Sequence, residues 1–457
     1  MPINSFLYPG AKVTTGYDVA NSLMFDGADS YLNITSGSSP TSTKKFTVSF
    51  WLKRSELGRE QHIFGGVAAA QCYFISDDRL RFADTTSGTN YYTTQVFRDV
   101  SAWYHIVIAV DTTLGTAGNR ARIYVNGSEI TEFDTETNAT QNNNTAYNIG
   151  STTYAIGRYN PSQSQNYYYS GYMAEYVFID GQQLTPTSFG EFDSDTPNVW
   201  KPIDVSGLTF GNNGYHLDFE DSSALGNDVS GNDNDYTANN ISATDQSTDT
   251  CTNNFATLNS VNTSSNITIS EGNTKITTST NGWLGSAGTI GITKGFPCYW
   301  EAKATTNTRI YFGLSRLEDY DPVTGTTTEG QSNLDYMWRA SSSNLVYYRG
   351  SDQSVTVSAV SAGDILACSV DSSGNVKFYN NGSAIHTFST VLIDGFYYFP
   401  ILSVNGFSST ETMEANFGNP PFSISSGNTD ANGFGNFEYA PPANHYALNT
   451  KNLAEHG

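Results

Sequence analysis

The sequence writes one β-hairpin twice. Ile106-Val-Ile-Ala-Val-Asp111 leads into Arg122-Ile-Tyr-Val-Asn-Gly-Ser-Glu-Ile130, and Leu366-Ala-Cys-Ser-Val-Asp371 leads into Lys377-Phe-Tyr-Asn-Asn-Gly-Ser-Ala-Ile385. Each copy is an apolar strand ending in Val-Asp, followed by a strand broken at Asn-Gly. That dipeptide accepts positive φ at both central turn positions, so it reverses the chain tightly between strands. Two such units far apart in the chain predict two all-β domains, and they leave little room for a helical or α/β fold.

Composition agrees. Only 14% of residues are charged, against roughly 25% in an ordinary domain. Polarity is carried instead by Ser, Thr, Asn and Gly, residues of strands and turns, and no long helical periodicity is present. The hydrophobic share of 38% and the aromatic share of 13% suffice for substantial cores. Acidic residues outnumber basic ones 44 to 22. A net charge of −22 repels nucleic acid and anionic membrane surfaces, which are bound through cationic contacts. Acidity as a device for solubility is the simpler reading, and acidic loops holding Ca²⁺ are the alternative; no other cofactor is expected. Cys72, Cys251, Cys298 and Cys368 are too scattered for a disulfide framework or a zinc site. The N-terminus lacks the basic and apolar regions of a secretory signal, and no apolar run is long enough to span a bilayer. A soluble protein made in a cytoplasm is expected.

The predicted order is an N-terminal arm (residues 1–20), a β-sandwich (21–200), an acidic, turn-rich connector (201–261), a second β-sandwich (262–422) and a tail packed on the second sandwich (423–457). Phe46, Val48, Phe50 and Leu52 alternate with Thr47, Ser49 and Trp51, the period of a strand with one buried face. The connector, dense in Asp, Asn, Ser and Gly, reads as loops locked by side-chain turns and nearly free of core residues.

In the first sandwich, Phe25-Asp-Gly27, Phe46-Thr-Val-Ser-Phe-Trp51, Trp103-Tyr-His-Ile-Val107, Ile123-Tyr-Val-Asn-Gly127, Ile156-Gly-Arg158 and Tyr169-Ser-Gly-Tyr-Met-Ala-Glu175 fall in the order of laminin-G-like, or concanavalin-like, jelly-roll domains. That resemblance implies a carbohydrate- or protein-binding sandwich. In the second, Cys298-Tyr-Trp-Glu-Ala-Lys303, Arg309-Ile-Tyr-Phe-Gly-Leu-Ser315, the repeated hairpin, Tyr398-Phe-Pro-Ile-Leu-Ser403 and Ala415-Asn-Phe-Gly418 are similar to a SPRY (B30.2-like) domain, which implies protein interaction without catalysis. Residues 317–362 depart from that pattern. The whole arrangement, with its arm and its closing Ala-Leu-Asn-Thr-Lys-Asn-Leu453, resembles structural proteins of marine bacteriophage virions.

Catalytic signatures are missing: there is no G-x-S-x-G, H-E-x-x-H or phosphate loop. A glucanase on a concanavalin-like fold needs paired carboxylates alternating on one strand. Glu129, Glu132 and Asp134 lack that spacing, and Glu175 stands alone. His105, in an apolar strand, reads as a structural histidine. Three aromatic clusters in polar surroundings are the candidate ligand-binding residues: Tyr91 and Tyr92; Tyr167, Tyr168 and Tyr169; Tyr347 and Tyr348. Tyrosine rings stack on sugar C–H faces while their hydroxyls bond sugar hydroxyls. Strand alternation sends every second ring into the core, so part of each cluster is expected to be structural.

The leading expectation is a non-enzymatic virion surface protein of tail-fibre or spike type that adheres to host-surface glycan. It would contact other virion proteins and itself, as a homo-oligomer with a trimer favoured. A capsid decoration protein and a glycan hydrolase are the alternatives.

Overall fold

A computed structural model describes residues 16–457 apart from 37–38, 67–69, 160–166, 307–308, 320–333, 341–343, 356, 358 and 408. Most of the expected N-terminal arm therefore lies outside the described residues. The chain is nearly all β, with sandwich-type sheets in two domains and one short α-helix, Thr450–His456, among the described residues. Of the described residues, those up to Thr252 form one unit and Asn253–Gly457 form the other.

Among the described residues the first unit holds a two-stranded ribbon, Gly190–Phe192 with Trp200–Pro202, and two sheets of eight strands each. Lys45–Arg54 lies at the centre of one, antiparallel to Trp103–Asp111 on one side and Ser170–Asp180 on the other. The second sheet runs from Phe133–Thr137 at one edge through Thr89–Val96, Arg79–Asp84, Ala70–Phe74, Gln61–Gly66, Thr153–Ile156 and Tyr31–Thr35 to Thr237–Asn239. Between the sheets, Phe46, Val48, Phe50 and Leu52 meet Ile63, Phe64, Cys72, Phe74, Leu80 and Phe82. The two inner faces interdigitate as alternation predicts.

The opposite face of the Lys45–Arg54 strand is buried as well: Thr47, Ser49 and Trp51 are as dry as their neighbours. The reason lies in the end of the expected arm, the end of the expected first sandwich and the segment expected to be a connector. Phe189, Val205 and Phe210 pack on Val107, Ala109, Val177 and Ile179. Trp200 and Val19 pack on Trp51, Trp103 and Tyr172. Tyr215–Leu217 adds a strand to Ser170–Asp180, and Tyr215, Leu217, Phe219, Leu225 and Tyr236 enter the main core. Residues 201–252 are thus cladding of the first unit, contrary to the connector reading. Their apolar residues are spaced by turn formers, so no strand periodicity announced them.

The second unit has two seven-stranded sheets among the described residues. Cys298–Ala304 pairs with Ile365–Val370 and Glu411–Asn416 in one, and Ile310–Ser315 pairs with Phe399–Val404 in the other. Trp300, Phe312, Trp338, Phe378 and Leu402 fill the space between. The tail packs on this unit: Leu448 and Leu453 enter its core, and Phe437 and Ala447 cluster with Phe255, Tyr299 and Ala367. Glu301 anchors it, accepting the Glu438 and Tyr439 backbone N–H groups at 3.0 and 2.9 Å.

The repeated hairpin closes identically in both units. Asn126 and Gly127 have φ of 47° and 79°, and Asn381 and Gly382 have 45° and 75°, the left-handed pair that a type I′ turn requires. Asn126 Oδ1 accepts the His105 N–H at 2.8 Å, and Asn381 Oδ1 accepts the Ile365 N–H at 2.9 Å. An aromatic ring from the following chain then covers each glycine. A Cβ on Gly127 would lie 2.4 Å from Trp200, and one on Gly382 would lie 2.5 Å from Tyr439.

Candidate functional site

With one sheet of the first unit clad by its own chain, the outer face of the second sheet is where the unit presents side chains. Register sets out a row across four strands: His62 opposes Tyr73, Tyr73 opposes Arg81, and Arg81 opposes Tyr92. Each alternates with a core residue, so all four lie on the outer face, where His62 and Tyr73 are covered by neighbouring side chains and Arg81 and Tyr92 are half-buried. The His62 and Tyr73 rings stack at 4.2 Å, with Tyr159 and Tyr167 against the same imidazole at 4.8 and 5.6 Å. The Arg81 guanidinium lies over Tyr92 at 4.7 Å and over Tyr73 at 5.3 Å. It donates to the Tyr73 hydroxyl through one terminal nitrogen and to Asn90 Oδ1 through Nε at 2.9 Å.

His62 is fully buried, and burial pulls its pKa below the usual histidine value although Glu60 opposes this. The ring is therefore neutral at pH 7 and donates from Nε2 to Glu60 Oε1 at 2.9 Å. Its Nδ1 is then an acceptor with no partner among the described residues. Burial raises the Tyr73 phenol to about 12, so it remains a neutral hydroxyl. Beside the aromatic row runs a second one, Asn90–Ala83–Gln71–Gly65–Ala155–Asn33. Small residues make its floor and carboxamides stand along it. At the far side Arg158 is held between the rings of Tyr31 and Tyr168, at 4.7 and 5.1 Å. Rings, amides and guanidinium groups on one sheet face supply stacking surfaces and fixed donors, the equipment for a polyhydroxylated ligand.

The tyrosines singled out from sequence divide across this face. Tyr92 and Tyr167 are half-buried and belong to it, and Tyr168 takes part through Arg158. Tyr91 and Tyr169 are in the core. The Tyr91 hydroxyl donates to Asn138 Oδ1 at 2.8 Å and that of Tyr169 to the Lys53 carbonyl at 3.0 Å. These two cannot meet a ligand, because alternation turned them inward. In the second unit Tyr347 is buried against Trp283, Tyr311, Met337 and Phe399, whereas Tyr348 packs on Tyr336 at 5.1 Å. They lie on opposite faces of their strand and form no joint patch. His62, Tyr73, Arg81 and Tyr159 were missed from sequence. What unites them is cross-strand register, which no local pattern encodes.

The sequence-stated carboxylates sit elsewhere. Glu175 is on the clad face, at a register shift in its strand with φ +48°, and its Oε2 meets His216 Nε2 at 2.9 Å and the Tyr17 hydroxyl at 3.4 Å. Glu129 and Glu132 line an open edge groove of about 500 Å³, and Asp134 pairs with Arg79 at 3.1 Å. His105 has both ring nitrogens occupied, Nδ1 by the Trp200 indole and Nε2 by Ser49, each at 2.8 Å. Burial lowers its pKa to about 3. Asp228, in the acidic segment weighed for Ca²⁺, accepts the N–H groups of His216, Ser230 and Asn234. Among the described residues no group of three His, Cys, Asp or Glu side chains is placed to hold a metal.

Residues 26–188 match the family model described as the concanavalin A-like lectin/glucanases superfamily, and residues 297–420 match the SPRY domain model. The chain carries a concanavalin A-like domain followed by a SPRY domain. Among solved structures, the SPRY domain of human HERC1 is 20% identical, over 35% of this chain and 96% of that one, with a TM-score of 0.28. A putative carbohydrate-binding protein from Bacteroides ovatus is 17% identical over 50% of this chain and 60% of that one, with a TM-score of 0.37. A heptameric SAP-like pentraxin from Limulus polyphemus is 18% identical over 37% and 80%, with a TM-score of 0.28. No curated protein matches the sequence. The aromatic row lies wholly inside the concanavalin A-like domain, and the tail anchored by Glu301 follows the SPRY domain.

Proposed function

We propose that the chain is a non-enzymatic, lectin-like adhesion protein whose concanavalin A-like domain holds glycan on its open sheet face. The supporting observation is the His62–Tyr73–Arg81–Tyr92 row with Tyr159 and Tyr167 at its end. The family description, lectins and glucanases, is consistent with that ligand class, and the scattered carboxylates argue against the glucanase half. The SPRY domain serves protein contacts in this reading. Its setting is a virion surface, as a tail fibre or spike that forms a homo-oligomer, which rests on the resemblance of the domain order to phage structural proteins.

A glycan array probed with the full chain tests the adhesion reading. Retention on a defined set of oligosaccharides is expected, and Tyr92→Ala and Tyr167→Ala should each weaken it about tenfold, the value of one stacked ring. Binding that ignores both substitutions places the site elsewhere. Cleavage of any polysaccharide by the full chain, abolished when the carboxylate pair Glu129 and Glu132 is changed to Gln, would overturn the non-enzymatic part.

A further inference from the structure

We infer that the site is selective for a glycan bearing a single carboxylate at the sugar over Arg81, such as a uronic acid unit. The inference rests on the adhesion reading and names its ligand class. Arg81 is the one cation of the row, half-buried, and the partners it shows among the described residues, Asn90 and Tyr73, are neutral. A guanidinium has five N–H donors. Here Nε is spent on Asn90 and one terminal N–H on Tyr73, so the terminal edge keeps donors on both nitrogens. That edge is the fork that fits a carboxylate.

The flanking rings fix the group. Tyr73 and Tyr92 on either side hold the guanidinium plane by cation–π contact, which removes much of the side-chain entropy that binding would otherwise cost. The Glu60 carboxylate accepts from His62 and forms no ion pair with Arg81 among the described residues.

The charge of the chain sets the limit on ligand charge. Repulsion from a protein of net charge −22 grows with every added anion on the ligand, whereas Arg81 answers one. A dense polyanion is therefore rejected, and an isolated carboxylate on an otherwise neutral glycan is accepted.

Calorimetric titration of the full chain with a glucuronyl-terminated disaccharide and its glucosyl counterpart decides the matter, because the two differ only in the C6 carboxylate. The glucuronyl sugar should bind about tenfold more tightly, as one charge-assisted fork implies, with the margin shrinking at high salt. Arg81→Gln should weaken the glucuronyl sugar more than the glucosyl one and so erase the margin. Arg81→Lys, which keeps charge without the fork, should retain only part of it. Equal affinity for the two sugars, or a margin that survives Arg81→Gln in a protein of unchanged melting temperature, overturns the inference and leaves the adhesion reading standing. Tighter binding of polygalacturonate than of the disaccharide also overturns it. If neither these sugars nor any array glycan binds, both readings fall.

Discussion

The Lys53 ammonium and the Asp249 carboxylate meet at 2.8 Å with both side chains sealed from water. They tie the central strand of the first sandwich to the end of the segment that clads it. Asp249 also accepts the Trp103 indole N–H at 3.1 Å. Removing one member of such a pair strands a buried charge, which costs about 3–5 kcal/mol. Lys53→Met is therefore expected to lower the unfolding free energy by that amount in urea, and adding Asp249→Asn should restore a large part. A loss below about 1 kcal/mol would show that water reaches the pair.

Each repeated turn is held shut by the ring above its glycine. Gly127→Ala and Gly382→Ala place a methyl group inside the contact distance of Trp200 and Tyr439 and also force a side chain into positive φ. The backbone term alone is about 1–3 kcal/mol. The expected result is release of the covering segment, read as faster proteolysis near residues 190–210 in the first variant and 436–446 in the second. Protection equal to the parent in both would mean that the rings do not clamp the turns.

Two buried histidines give stability opposite pH slopes. His216 faces Glu175, with Tyr17, Asp218 and Asp228 nearby; burial opposes its charge, but the carboxylates prevail and raise its pKa above 6.5. Its stabilisation is complete below pH 6.5 and is lost as pH rises through the raised value. His105 behaves inversely. Burial holds it neutral down to about 3, so the unfolded chain takes up a proton first as pH falls from 6.5, and stability declines. In melting curves from pH 4 to 8, His216→Gln should remove a decline on the alkaline side and His105→Gln a decline on the acidic side. Parallel curves for parent and variants would contradict the assignment.

Much of the fold was legible because it is written in local periods. The Asn-Gly turns, the alternating Phe46–Leu52 strand and the ordered motifs announce two sandwiches, and both are present. The cladding was not legible. Phe189, Trp200, Phe210 and Tyr215 sit among turn formers without period, and their burial depends on a sheet face assembled from distant strands. The site failed in the same way: Tyr92 was visible as half of a pair, whereas His62, Tyr73 and Arg81 join it only through register.

Neighbouring tyrosines should therefore answer mutation in opposite ways. Tyr169 is wholly buried, edge-on to Phe25 at 6.1 Å, and its hydroxyl holds the Lys53 carbonyl. Tyr169→Phe removes that bond alone and should cost about 0.5–1.5 kcal/mol of stability, with no change in glycan affinity. Tyr92 is half-buried beneath Arg81 on the open face. Tyr92→Ala should cost less than about 1 kcal/mol of stability, the worth of an exposed cation–π contact, while glycan affinity falls about tenfold. Measuring urea midpoints and glycan titrations on both variants separates the packing role from the binding role. If Tyr169→Phe impaired binding as strongly as Tyr92→Ala, the ligand would be reaching the sandwich interior, and the open sheet face would lose its claim to be the site.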